Sequence, residues 1–204
     1  MRRTIRFLFF SLLVCWCSST AYGKVYIDIN SPAFQKFPVA IPEFKDLGHI
    51  EPEEDLSVWF ADQLSETLKL TGFFKIISQD AFLEDPDSTG ITLGEIDFSN
   101  WSSIGSDFLV KGGFNYDGKN LAVEFRLFDA IEGRFITGKK YWGTPEEKRI
   151  MVIKFTDEIL LALTGRIGVF DTRIAFIGKE GDNSEIYVTN FDGSDPVKIT
   201  SYNS

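Results

Sequence analysis

A chain of 204 residues, 44% hydrophobic with 20 phenylalanines, holds enough apolar side chain for a sizeable packed core. Its 30 acids outnumber 21 bases, a formal charge of −9, which sets the surface against nucleic acid and anionic lipid and suits a partner with a basic face. A single histidine excludes a multi-histidine metal centre.

The first 23 residues read as a secretory signal peptide. Arg2, Arg3 and Arg6 precede an apolar run over residues 7–17, and Ala21-Tyr22-Gly23 places small residues at the −3 and −1 positions of a cleavage site before Lys24. The run is too short to cross a bilayer as a helix, which argues against an uncleaved anchor. Val14 and Trp16 before Cys15 and Cys17 do not fit a lipoprotein site. Both cysteines lie in this segment, so the exported chain has no thiol for a disulfide, a nucleophile or a metal. Losing three arginines takes the basic count from 21 to 18 against 30 acids, a charge of −12.

Residues 24–30 (KVYIDIN) form a short β-prone run with Val25, Ile27 and Ile29 on one face, cut off by Ser31-Pro32. Residues 37–44 predict a second strand, which Pro38 and Pro42 push to a sheet edge or make irregular at its ends. Glu51, Glu53, Glu54 and Asp55 then gather around Pro52. After them Leu56, Phe60, Leu64 and Leu68 recur every four residues, Trp59 broadens the stripe, and Gly72 follows as a stop. This pattern predicts an amphipathic helix with its acids at the positive end of the helix dipole. Residues 73–77 predict the returning strand.

Residues 78–97 are a polar connection, and residues 98–104 predict a short helix carrying Trp101. Three strands follow, over residues 107–116, 121–128 and 134–142. Asp117-Gly118 supplies the positive φ that a tight hairpin turn needs. Leu121, Val123, Phe125 and Leu127 alternate with Ala122, Glu124, Arg126 and Phe128, as in a half-buried antiparallel strand. Pro145 opens a second long helix, with Ile150, Ile153, Ile159, Leu160 and Leu163 in a wide apolar face, ending at Gly165. The expected fold over residues 24–165 is α+β, a mostly antiparallel sheet with two helices packed on it.

Beyond Gly165, residues 174–177, 184–191 and 197–200 predict three short strands, with turns at Gly181-Asp182-Asn183 and Asp192-Gly193-Ser194-Asp195. A lone sheet of this size has too little face to bury and two open edges. Such units recur in arrays whose sheets stack on one another, so residues 166–204 are expected to be a linker and an incomplete first blade of a β-propeller, in a truncated chain.

Catalytic constellations are absent from the sequence. His49 sits in a Gly-His-Ile stretch and reads as a loop residue; there is no G-x-S-x-G elbow, phosphate-cradling glycine loop or H-E-x-x-H helix. Asp182, Asp192 and Asp195 match no cation loop, and hairpin turns use Asp, Asn and Gly in any case. Asn100-Trp101-Ser102 is a glycosylation sequon beside a tryptophan expected in the core. No cofactor and no metal are expected, and surface recognition is what remains. The candidate binding residues are Lys24, Val25, Tyr26, Ile27, Asp28, Ile29 and Asn30. Such a segment can add itself as a strand to another protein's sheet edge. It can equally pair with its own domain's sheet, and the residues alone leave both open.

Four stretches also carry a family resemblance. They are residues 24–30 (KVYIDIN); residues 38–42 (PVAIP); residues 101–105 (WSSIG) with 107–112 (DFLVKG); and the junction over residues 163–165 (LTG) and 168–175 (GVFDTRIA). Residues 185–188 (EIYV) and 192–196 (DGSDP) with Ile199-Thr200 follow. In this order the chain resembles the TolB family, the periplasmic component of the Tol-Pal cell-envelope system. The resemblance implies an α/β N-terminal domain followed by a six-bladed propeller, most of it absent here. It implies that the mature N-terminus, Lys24 to Asn30, binds the periplasmic domain of TolA, and that the propeller binds the lipoprotein Pal. It implies no enzymatic activity. Lys24 departs from the family, whose members often carry an acid there. Two rival readings stand beside it. One is the N-terminal part of an exported propeller-containing hydrolase. The other, a glycan-binding domain, rests on aromatics such as Trp142, although aromatics at this density more often fill cores.

Overall fold

Capping residues and apolar spacing set the two long helices. Helix α1, Leu56–Leu70, starts where Asp55 Oδ1 accepts from the backbone N–H groups of Ser57 and Val58 at 3.1 and 3.2 Å. Leu56, Phe60, Leu64 and Leu68 are all buried along one side, as the spacing predicts. Of the acids gathered ahead of this helix, Glu54 pairs with Lys148 instead. Helix α3, Lys148–Thr164, continues from a tight turn at Pro145–Glu147, where Thr144 and Glu147 form a reciprocal cap. It stops at Gly165, whose φ of 72° is left-handed and costs glycine least. Between them lies the short helix α2, Phe98–Ser103, capped by Asp97 through Ser99 N at 3.0 Å.

The computed structural model describes residues 35–48, 50, 52, 54–84, 90–181 and 183–201. The predicted signal peptide, the segment Lys24 to Asn30, His49, Glu51, Glu53 and Asp182 lie outside the described residues.

Six strands form the main sheet: β1 Phe37–Ala40, β2 Lys45–Asp46, β3 Phe74–Ile76, β4 Phe108–Tyr116, β5 Leu121–Asp129 and β6 Arg134–Gly143. Their order is β3-β1-β4-β5-β6, with β2 also pairing β4. The hairpins β4–β5 and β5–β6 are antiparallel and make the longest ladders. The expectation of a mostly antiparallel sheet with two packed helices holds in part: the antiparallel ladders are the longest, but β1 pairs in parallel with both β3 and β4, β2 pairs in parallel with β4, and among the described residues the short α2 joins the two long helices. The reason is the crossover: α1 carries the chain back so that β3 runs the same way as β1.

Of the two outcomes Pro38 and Pro42 predict, an edge position or irregular ends, the structure shows the second, because β1 lies between two neighbours. Its ladder with β4 begins only at Val39↔Phe108, while the Pro38 carbonyl accepts from Asp107 N at 3.0 Å. The missing N–H of Pro38 therefore falls before the first rung and costs no ladder bond.

Each sheet face has its own core. Val39, Phe108, Val110, Phe125 and Leu127 pack under α1 and α3 with Phe60, Leu64, Phe155 and Ile159. Phe125 is the hub, with the Phe155 ring stacked 4.8 Å away and the Phe44 ring edge-on at 5.2 Å. Ala40, Leu109 and Phe128 face the other way and meet Ile96 and the buried Trp101 of α2. The sheet is thus covered on both sides.

Strands β7 Arg173–Glu180, β8 Asn183–Asn190 and β9 Val197–Lys198 make a separate antiparallel sheet. The register puts Ile177, Ile186, Val197 and Ile199 on one face and Ile174, Phe176 and Tyr187 on the other. On both faces the isoleucines are exposed.

Candidate partner-binding surfaces

The predicted binding segment, Lys24 to Asn30, lies outside the described residues, but the point where the chain enters the body is clear. Phe37 N donates to the Phe73 carbonyl at 2.9 Å, fixing the start of β1 beside the end of α1. A groove of 250 Å³ opens there, lined by Leu70, Phe73, Leu160, Ile167, Val169 and Phe191. Leu70, Ile167 and Val169 are exposed, so the groove is apolar and open to solvent. Sequence reasoning did not find it, because its residues come from the two helix ends and the stretch after Gly165 and share no period. The available signal was the apolar Ile167 and Val169 directly after a helix stop.

The wall of this groove is the junction to the second sheet. Phe170 is buried, its ring 4.6 Å from that of Phe191 at 68°. Arg149 at the start of α3 pairs with Asp192 in the β8–β9 turn, while its Nε is buried with no hydrogen bond. Burial pushes the Asp157 carboxyl above its ordinary value, with the nearby charge of Asp171 adding to it. The backbone N–H groups of Phe170 and Asp171 oppose that shift, although Asp157 Oδ1 makes no well-aligned hydrogen bond. A side chain at Gly168 would overlap that oxygen, so a substitution there would force the Asp157 carboxylate to move.

On the other sheet face, Lys111 Nζ lies 3.1 Å from Glu84 Oε2 and 5.2 Å from the centre of the Trp101 ring. Burial lowers the Lys111 pKa and Glu84 opposes that shift. A lysine so perturbed is a candidate nucleophile where a cleft reaches it. Here Glu84 and the Trp101 ring occupy its surroundings, and the arrangement anchors a loop.

The remaining candidates are dispersed. Asp192 is engaged by Arg149 and by Ser194 N, and Asp195 Oδ2 accepts from Asn190. Among the described residues, no group of three or more His, Cys, Asp or Glu could hold a metal ion, and no helix is long and apolar enough to cross a membrane. Asn100 of the sequon lies in α2, beside the buried Trp101. Trp142, by contrast, stands 72% exposed on β6.

A family model described as the TolB amino-terminal domain matches residues 25–136. The Tol-Pal system protein TolB of Syntrophus aciditrophicus is 42% identical over 184 residues, covering 88% of this chain and 41% of that protein. The protein of the same name from Desulfosudis oleivorans is 42% identical over 193 residues, covering 95% and 44%. The chain thus spans about two fifths of the length of these relatives. The crystal structure of TolB from Acinetobacter baumannii superposes with a TM-score of 0.63 at 19% identity, covering 82% of this chain and 39% of that one, which establishes a shared fold. The family model spans more than half of the residues, and the chain belongs to the TolB family.

Proposed function

We propose that this chain is the N-terminal part of a non-enzymatic periplasmic adaptor of the Tol-Pal system, supporting outer-membrane integrity and constriction at cell division. The observation that carries this reading is family membership, with relatives that bear the name Tol-Pal system protein TolB. Residues 1–23 serve as the cleaved signal peptide and residues 24–165 as the N-terminal domain. Residues 166–204 serve as a linker and the start of a β-propeller. The two apolar faces of β7–β9 support that last assignment, since a sheet exposed on both sides is stabilised by neighbours on both, as propeller blades are. Greater length in the relatives supports it too.

In this reading Lys24 to Asn30 add as a strand to the periplasmic domain of TolA, with main-chain hydrogen bonds giving affinity and Val25, Ile27 and Ile29 giving register. Pal binds the remainder of the propeller. The exit of the chain at Phe37, beside an open groove, is compatible with a segment that either leaves the body or lies against it.

Titration calorimetry tests this directly. A form starting at Lys24 is titrated with the TolA periplasmic domain from the same source, beside a form starting at Ser31. Binding by the first and none by the second is the expected result. Equal binding by both moves the site off the segment. Silence from both forms and from an isolated peptide of residues 24–30 overturns the reading.

A further inference from the structure

An exposed sheet edge carries a row of backbone N–H and C=O groups without ladder partners, and folded proteins ordinarily keep such edges short or obstructed. The main sheet treats its two edges differently. At one, β3 presents only three residues, Phe74–Ile76. At the other, β6 presents ten, about 33 Å of strand. Among the described residues no strand pairs with the outer side of β6. The register shift opposite Leu127 and Phe128 leaves Ile136 without a partner, and residues 137–143 continue in regular pairing.

The side chains along this strand select what can join it. β6 reads RFITGKKYWG, with three bases and no acid, in a chain of net charge −9. Arg134 is occupied by Asp129 and Glu132, and Lys139 reaches Glu158 of α3 at 3.2 Å. Lys140 lies with its ammonium 5.5 Å from the centre of the Trp142 ring. Its cross-strand neighbour Glu124 is already held by Arg126 at 2.8 Å. Adjacent residues point to opposite faces of the strand, so Lys139 is met by Glu158 on the helix-covered face, while Lys140 offers an added strand a positive charge on the other.

Apolar surface flanks that charge. Trp142 is 72% exposed and Phe135 49% exposed, both on the face that carries Lys140. Gly138 sits between them and forms part of a 310 Å³ cleft with Glu124, Arg126, Phe135 and Lys140. A Cβ at Gly138 would come within 2.9 Å of the Phe125 carbonyl oxygen and 3.2 Å of the Phe135 ring, so this gap is kept by glycine. Lysines alone would read as edge protection. A lysine bracketed by two exposed aromatic rings and a side-chain-sized gap instead discriminates, repelling a second copy of β6 and attracting an acid.

We infer that β6 is a docking edge for an extended acidic segment of a partner protein, carrying an acid opposite Lys140 and an apolar side chain for the cleft at Gly138. This does not depend on the Tol-Pal reading.

The test uses the ¹⁵N-labelled protein and two acetylated, amidated octapeptides, TVVEEFTT and TVVKKFTT. The expected result is that the acidic peptide slows amide exchange and shifts resonances along residues 137–143, binding about 10-fold more tightly than the basic one. In Lys140→Glu the preference reverses. The peptide pair on the unaltered protein carries the same comparison should that variant fold poorly. Equal binding of both peptides overturns the proposal, as does a response that spares β6. A dimer through β6 in sedimentation, or binding of chitohexaose at Trp142 with no response to either peptide, overturns it as well.

Discussion

Lys111 and Glu84 meet 3.1 Å apart with side chains only 5% and 4% exposed, a buried ion pair that ties a polar connection to the middle of a core strand. Glu84 Oε1 and Oε2 make no well-aligned hydrogen bond, so the pair rests on charge attraction and on the Trp101 ring beside the ammonium. Removing one partner leaves the other charge stranded in a place water hardly reaches. Glu84→Gln and Lys111→Met should therefore each lower stability by about 3 kcal/mol, since each leaves one buried charge without its partner. The double variant should recover most of the loss. Urea midpoints at pH 7 read all three, and additive losses in the double variant would contradict a coupled pair.

Gly112 owes its place to Phe44. A Cβ at Gly112 would overlap the Phe44 ring, which itself lies against Phe60 and Phe125. Cores accept extra volume poorly when every neighbour is already packed. Gly112→Ala should cost about 2 kcal/mol. Phe44→Leu alone also destabilises, yet combined with Gly112→Ala it should restore part of the loss, since the smaller side chain vacates the contested space. Thermal melts of the two single variants and the double variant measure the coupling, and strict additivity would show that the clash is absorbed elsewhere.

What could be read in the sequence follows from which forces are local. Leu56, Phe60, Leu64 and Leu68 share a period, so α1 and its buried face were legible, as was the alternation of Leu121 to Phe128 in β5. The parallel pairing of β1 was not, because Pro38 is a local veto on a strand interior and the ladder offset that spares it is a tertiary fact. The Lys111–Glu84 pair joins a strand to a connection with no period, and nothing in either stretch announces the other. The groove at Leu70, Ile167 and Val169 was hidden for the same reason, since it is assembled from two helix ends and the stretch after Gly165. Trp142 ran against its odds. High aromatic content places most rings in the core, and this one stands on the surface of an edge strand.

The pH dependence turns on Tyr141. Its ring packs edge-on against Phe125 at 5.8 Å, and burial pushes the phenol up from 10.0 to about 12, with the charges of Glu158 and Asp157 adding to the shift. In the unfolded chain the phenol loses its proton near 10, while in the folded chain it keeps it to about 12. Between those values the folded state binds more protons, so the stability that Tyr141 contributes is full below pH 10 and is lost as pH rises toward 12. Lys111 acts with the opposite sign, because its lowered pKa makes the unfolded state the better proton binder below 10.5, and stability rises with pH there. Comparing the protein with Tyr141→Phe cancels the Lys111 contribution, which both share. The variant should lose less stability than the parent between pH 10 and 12, and absorbance at 295 nm should show one fewer phenol titrating at the high end. Equal slopes in the two proteins would mean that Tyr141 ionises as freely folded as unfolded.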